Sequence, residues 1–130
     1  MKMGKFGAWI PTNSLTKDQL IELARSLDAL AYDTLWYPES TSYDSLSLGG
    51  FLLSHSERLV VASGIANIYA RDAFTAVAGH NSLNALYDDR FVLGLGVSPP
   101  DVSWGLLANE GLQDITPVKI YWGTVTFSGL

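Results

Sequence analysis

The stretch that decides the fold is RLVVASGI, residues 58–65, a short apolar run that is rich in β-branched side chains. Runs of this kind and length are typical of a buried strand. RFVLGLGV at residues 90–97 is almost entirely apolar, as expected for a strand that is covered on both faces or lines a barrel. Towards the N-terminus, KFGAWI at residues 5–10 and DTLWY at residues 33–37 complete a set of four predicted strands.

Helices are predicted between these strands. Thr16 and Gln19 form a capping-box pattern ahead of leucines at helical spacing, which predicts a helix from Thr16 to about Ala31. Asp44 and Asp72 are predicted to cap a second and a third helix. The expected inner face of the third helix consists of Phe74, Val77, Ala78 and Leu86. Alternation of strands and helices implies parallel strands joined by right-handed crossovers. We therefore predict an α/β fold, half of a closed barrel, with about four parallel strands and three helices.

The character of the sequence changes after Ser98. Pro99 and Pro100 interrupt the alternation, and no helix is predicted directly after the fourth strand. We therefore divide the chain into a half-barrel at residues 1–98 and a divergent tail at residues 99–130. The tail contains one expected strand, at residues 118–127.

Composition narrows the class of protein. The chain has 130 residues, a net charge of −5 and only eight lysines and arginines, which are scattered singly. Nucleic-acid and anionic-membrane partners both need clustered positive charge, so we expect neither. No cysteine is present, which excludes thiolate metal sites and fits the reducing cytoplasm. No apolar run is long enough for a membrane helix. We expect a soluble, cytoplasmic protein.

Candidate ligand residues lie where the predicted strands end, since ligands of parallel α/β folds bind there. These ends carry Trp9, Glu39, the segment 64–67 and the segment 96–98. A flat conjugated ligand would suit such aromatic, small and polar residues, although small residues at strand ends also simply ease a turn. Glu39 is equally open to interpretation as a solvated surface carboxylate.

Other patterns carry less weight. The GLGVS segment at residues 94–98 lacks the third glycine of a dinucleotide fingerprint, so a Rossmann site is not predicted. His55 and His80 lie on different predicted helices without ligand spacing, and we predict no metal site. Asp88 and Asp89 are predicted to form a turn before the fourth strand. No catalytic acid or base can be assigned.

Three ordered segments carry a family resemblance: LWYPES at residues 35–40, LVVASGIANIYARD at residues 59–72 and RFVLGLGVS at residues 90–98. Together they resemble the luciferase-like monooxygenases, a family that includes flavin-dependent monooxygenases and coenzyme F420-dependent reductases. The resemblance runs from about Lys5 to Ser98. It implies a half TIM barrel that uses FMN or coenzyme F420 for hydride transfer or for oxygen activation at a reduced flavin.

The resemblance also implies site residues. A bulge behind the ring would contain a non-prolyl cis peptide between Gly64 and Ile65. The residues implied to line the cofactor and substrate pocket are Trp9, Glu39, Gly64, Ile65, Ala66, Asn67, Gly96, Val97 and Ser98. Arg71 and Arg90 are the basic residues expected nearest to the cofactor phosphate.

The sequence departs from the family in two respects. The later strands and their phosphate-binding loops have no counterpart, and Pro99 stands where relatives commonly have a histidine. A truncated gene would account for both. We therefore weigh two functions: an oxidoreductase of the luciferase-like type acting on a small molecule, and a non-catalytic half-barrel that serves as a dimerising module. A homodimer is expected in either case. Its interface could be formed by the second and third helices, whose small residues include Gly50 and Gly79, or by barrel closure between two copies.

Overall fold

The computed structural model describes residues 4–97, which form one parallel sheet with three helices and a small second pair of strands. Ser98, Pro99 and the tail with its predicted strand at residues 118–127 lie outside the described residues. The elements in chain order are β1 (Gly7–Trp9), α1 (Lys17–Ala29), β2 (Thr34–Tyr37), α2 (Ser45–Ser54), β3 (Val60–Ser63), β4 (Ala66–Asn67), α3 (Ala73–Leu86), β5 (Phe91–Val92) and β6 (Leu95–Gly96).

The main sheet is parallel throughout, in the order β1-β2-β3-β5. Each neighbouring pair is linked by a helix, as the alternating sequence predicts. The predicted α/β half-barrel with four parallel strands and three helices is confirmed. Since all four strands run in one direction, their C-terminal ends meet at one end of the sheet, which we call the carboxyl face. The opposite end is the amino face.

The helices begin at the predicted caps. Thr16 and Gln19 complete the capping box of α1. The Asp44 carboxylate accepts a hydrogen bond from the Ser47 amide at 2.8 Å, and Asp72 caps α3 in the same way. Each bond satisfies an amide that has no partner within its own helix. All three helices therefore start at the carboxyl face, with their first turns already capped.

The core lies between the sheet and the three helices. Its fully buried side chains include Leu35, Tyr37, Val61 and Phe91 from the strands, against leucines of α1 and α2. None of the helices in residues 4–97 is long and apolar enough to span a membrane.

The predicted inner face of α3 is wrong for three of its four residues, and only Val77 is partly buried. Phe74 is 83% exposed and Leu86 is also exposed, whereas Ala76 is buried and Leu83 packs on the core. A Cβ on Gly79 would come within 2.4 Å of the Leu46 side chain. The helix therefore packs on α2 with Gly79 against Leu46 and with Leu83 against Gly50. Apolar side chains occur on both sides of α3, and the side that carries Phe74 and Leu86 faces solvent.

The predicted fourth strand is two strands. β5 pairs with β3 with partners thirty residues apart, whereas β6 pairs with β4 with partners twenty-nine apart. One extra residue is therefore accommodated between β3 and β4, which is the definition of a bulge. The Ser63 hydroxyl fills the break, because it accepts from the Gly94 amide at 2.9 Å and donates to the Gly94 carbonyl at 3.0 Å.

Candidate functional site

The centre of the carboxyl face is the bulge at residues 64–67. It contains a cis peptide bond between Gly64 and Ile65, the feature that the family resemblance implies. Gly64 donates to the Tyr37 carbonyl at 2.7 Å, and the Ile65 carbonyl accepts from the Glu39 amide at 3.0 Å. Ala66 donates to the Gly94 carbonyl at 2.7 Å. The segment is thus fixed to both neighbouring strands through its own backbone.

Two indoles lie beside this bulge. Trp9 is 56% exposed, yet its Nε1 donates to the Gly64 carbonyl at 3.0 Å, so the ring is oriented. A Cβ on Gly64 would lie 3.2 Å from Trp36 and 3.6 Å from Trp9. Glycine at this position therefore lets both indoles approach the backbone closely. An exposed aromatic ring held by a hydrogen bond provides an ordered surface for stacking.

Glu39 is the most constrained side chain of the face. Its Oε1 accepts from the Ser45 amide at 2.9 Å, and its Oε2 accepts from the Asn67 amide at 2.6 Å. The Arg71 guanidinium completes the shell with one nitrogen to each carboxylate oxygen. The side chains of Arg71 and Glu39 are only 8% and 9% exposed. Four donors fill the acceptor sites of this carboxylate, so it joins β2, α2 and the bulge.

Arg71 also reaches Asp44, donating from Nη2 to Oδ2 at 2.8 Å. Hydrogen bonding to Glu39 raises the pKa of Arg71 and outweighs burial, which acts in the opposite direction. Burial would raise the pKa of Asp44, but the hydrogen bonds from Ser47 and Arg71 prevail and lower it. We call Glu39, Arg71 and Asp44 the ionic triad. One cation is shared between two carboxylates, so the triad carries one net negative charge.

The remaining predicted residues lie close to this centre. Asn67 is buried and its Oδ1 accepts from the Tyr69 amide at 3.0 Å, while its Nδ2 has no partner among the described residues. Gly96 pairs with Asn67 in the β4–β6 ladder, and a Cβ on Gly96 would contact the Ile65 side chain at 3.1 Å. Val97 follows β6 and is partly buried. The structure thus brings together all the predicted lining residues except Ser98, which lies outside the described residues. That they contact a cofactor stays a prediction.

Arg90 is not where we expected it. Its Nη1 donates to the Leu59 carbonyl at 3.1 Å and to the Ser56 hydroxyl at 3.2 Å, at the start of β3. That is the amino face, at the far end of the sheet from the bulge. Arg90 therefore links the end of α2 to the beginning of β3. It does not serve a ligand at the carboxyl face.

The histidines and paired aspartates have local roles. His55 caps the end of α2, where its Nδ1 lies 2.8 Å from the Phe51 carbonyl. His80 contacts Asn84 on α3. Asp88 and Asp89 form the predicted turn, with φ values of 54° and 55°. Within residues 4–97 no cluster of three metal-ligating side chains occurs.

Sequence reasoning missed three residues of the face. Ser63, Trp36 and the clamping role of Arg71 were not identified. For Arg71 a signal existed, because a cation follows one strand end and a carboxylate follows its neighbour. Ser63 and Trp36 carried no comparable signal, since Ser63 acts through its bonds to Gly94 and Trp36 through its contact with Gly64, both distant in sequence.

The fold and the carboxyl face define an α/β protein with the parallel strands and helices of half a βα-barrel. The sequence profile described as luciferase-like monooxygenase matches residues 2–111, and the chain belongs to that family. The match continues past Ser98, where we saw no further resemblance. No curated protein matches the chain significantly.

Solved structures share the fold. The coenzyme F420-dependent tetrahydromethanopterin reductase from Methanopyrus kandleri superposes with a TM-score of 0.69 at 14% identity, covering 82% of this chain and 29% of that protein. Apo-MsnO8 superposes with a TM-score of 0.63 at 24% identity, covering 84% of this chain and 41% of that protein. The chain therefore spans less than half the length of each of these two proteins.

Proposed function

We propose that the carboxyl face binds the ring system of a flavin or of coenzyme F420, and that the chain acts as an oxidoreductase of the luciferase-like type. The observation that carries this proposal is the bulge at residues 64–67 with the oriented Trp9 beside it. Family membership and the F420-dependent reductase among the structural neighbours support it.

The residues present suit a flat, conjugated ring. Trp9 and Ile65 offer apolar surface, and Gly64 leaves no side chain between that surface and the backbone. The indole is held by its bond to Gly64, so little conformational freedom is lost on binding. A bound flavin or deazaflavin would supply the hydride or the oxygen chemistry. The chain's own task is to bind and orient the ring.

Equilibrium dialysis against FMN and against coenzyme F420 tests the proposal. We expect micromolar binding of at least one. Replacement Trp9→Leu should weaken it about tenfold, the equivalent of about 1.4 kcal/mol of stacking. Phe6→Leu is the matched control, because Phe6 is an exposed aromatic residue just before the same strand, at the amino face. Absence of binding at millimolar ligand would refute the proposal and favour the alternative, a non-catalytic half-barrel.

We also propose that the chain forms a homodimer through α2 and α3 and that it is cytoplasmic. The support for the dimer is the exposed Phe74, an aromatic side chain without cover on α3. The small residues are weaker support, since Gly79 already packs against Leu46 of the same chain. Light scattering of the protein and of Phe74→Ser would measure the subunit count, and a monomeric parent protein would contradict the dimer.

A further inference from the structure

We propose that the carboxyl face recognises an uncharged flavin ring and gains nothing from a phosphate, so that riboflavin binds at least as tightly as FMN. This inference rests on the proposed function, and it narrows the ligand to neutral, fused-ring compounds. It follows because Arg71 already binds two carboxylates of this face and the helix N-termini are already capped by side chains of the same chain.

Proteins hold phosphates with cations. Within residues 4–97, Arg71 is held beside the bulge, because the Glu39 carboxylate accepts from both Arg71 and the Asn67 amide. Its Nη2 donates to both Glu39 and Asp44, and its Nη1 donates to Glu39. The guanidinium is also almost fully buried. A phosphate would have to displace two carboxylates from it. Arg90, the other expected partner, lies at the amino face.

Helix N-termini are the second means of holding a phosphate. Here a first-turn amide of each of the three helices already donates a hydrogen bond to a capping side chain of the same chain. Asp44 and Asp72 place a carboxylate at the N-termini of α2 and α3. Hydrogen bonds from Thr75 lower the pKa of Asp72, so this group is ionised at neutral pH. The positive end of each of these two helix dipoles is therefore balanced by an anion.

The surrounding charge is negative. The ionisable residues of the triad and of the helix starts at this face are Asp18, Glu39, Asp44 and Asp72, against Lys17 and Arg71. The chain as a whole has a net charge of −5. A phosphate dianion approaching this face is therefore repelled, whereas an uncharged ring is not.

The decisive experiment is a comparison of riboflavin and FMN by equilibrium dialysis at two ionic strengths. At about 10 mM salt, where charges act over about 30 Å, we expect FMN to bind about three- to tenfold more weakly than riboflavin. At about 0.5 M salt the two dissociation constants should converge.

Asp44→Asn provides the matched test of the charge argument. Asparagine caps a helix as well as aspartate does, and Arg71 keeps its pairing with Glu39. The variant should reduce the FMN penalty at low salt, measured as the ratio of the FMN and riboflavin dissociation constants of the same variant. Asp88→Asn is the control, because Asp88 lies in the turn before β5 at the amino face, and asparagine tolerates its positive φ.

The outcomes separate the two proposals. FMN binding more than about twofold tighter than riboflavin would overturn this inference and leave the proposed function intact. If riboflavin, FMN and coenzyme F420 all fail to bind, the proposed function is refuted and the inference with it. If only coenzyme F420 binds, the inference alone is overturned. A penalty that is insensitive to salt and to Asp44→Asn would show that charge is not its cause, and would also overturn the inference.

Discussion

Replacement of Arg71 by methionine should destabilise the fold severely. Arg71 and Glu39 are buried, and the substitution removes two of the four donors to the carboxylate. Breaking a buried ion pair by removing one partner costs about 3–5 kcal/mol, because the remaining charge is left in a poorly solvated site. A small domain has a total stability of about 5–15 kcal/mol. We therefore expect Arg71→Met to lose about a third of the stability or more.

The assay is urea unfolding followed by circular dichroism, with Arg58→Met as the matched control. Arg58 also pairs with an aspartate, Asp28, but its side chain is 67% exposed. Exposed pairs contribute about 0–1 kcal/mol, so the control should unfold close to the parent protein. Arg71→Lys should fall between the two, because lysine keeps the charge and loses the bidentate geometry.

A double variant distinguishes the loss of charge pairing from the loss of packing. Glu39→Gln combined with Arg71→Met leaves no uncompensated charge at the buried site, and the Asp44 carboxylate that also loses Arg71 is half-exposed to water. The double variant should therefore be more stable than the sum of the single effects predicts. Two results would refute the reasoning. One is an Arg71→Met loss no larger than that of Arg58→Met, and the other is strict additivity in the double variant.

Three further predictions follow from the packing and the charges. Gly94→Ala should destabilise the fold by about 1–3 kcal/mol, because its Cβ would lie 2.2 Å from a backbone oxygen. The control Gly50→Ala in α2 meets only a flexible side chain at 3.1 Å and should be neutral or slightly stabilising. The midpoints of urea unfolding of the two variants and the parent protein measure the difference. Tyr37→Phe should cost about 1 kcal/mol, since it removes a buried hydrogen bond of 2.6 Å to the Ser45 carbonyl. Tyr43→Phe, whose 2.8 Å bond is only partly buried, should cost less in the same assay. The pKa of Asp44 is lowered in the folded state, so its contribution to stability is complete above its unfolded pKa and is lost as the pH falls through the folded value. From about pH 5 to about pH 2 the melting temperature should therefore decline less steeply for Asp44→Asn than for the parent protein, and parallel curves would contradict this.

Much of the fold is predictable from local patterns. The strands at residues 33–37 and 58–65 contain β2 and β3, and the caps at Thr16, Asp44 and Asp72 mark the helix starts correctly. These features depend on residues within one turn or one strand of each other. Short-range chemistry therefore suffices to predict them.

The errors have a different origin. The split of the fourth strand arises because Ser63 bonds to both polar groups of Gly94, a contact across thirty-one residues. The buried face of α3 is chosen by the space that Gly79 leaves for Leu46, not by the bulk of Phe74. Neither effect has a local pattern, since each depends on where a distant element comes to lie.

The candidate site was located better than it was explained. Strand ends predicted residues 64–67 and Trp9 as candidates, and both the bulge and the cis peptide between Gly64 and Ile65 followed from the family resemblance. Glu39 was recognised as a carboxylate at a strand end. Its buried ion pair with Arg71, thirty-two residues away, could not be foreseen from one sequence.

The ion pair between Glu39 and Arg71 links two properties of the carboxyl face, the rigidity of the bulge and the expected weak affinity for phosphate. Glu39 fixes the bulge because its carboxylate accepts the Asn67 amide, and this geometry requires a buried anion close to the proposed ring site. A buried anion needs a cation, and Arg71 supplies it. The guanidinium is then no longer available to a phosphate, and Asp44 adds a further negative charge beside it. Rigid support of the ring and weak affinity for phosphate are thus expected from the same three side chains, and a substitution that frees Arg71 for a phosphate should also loosen the bulge.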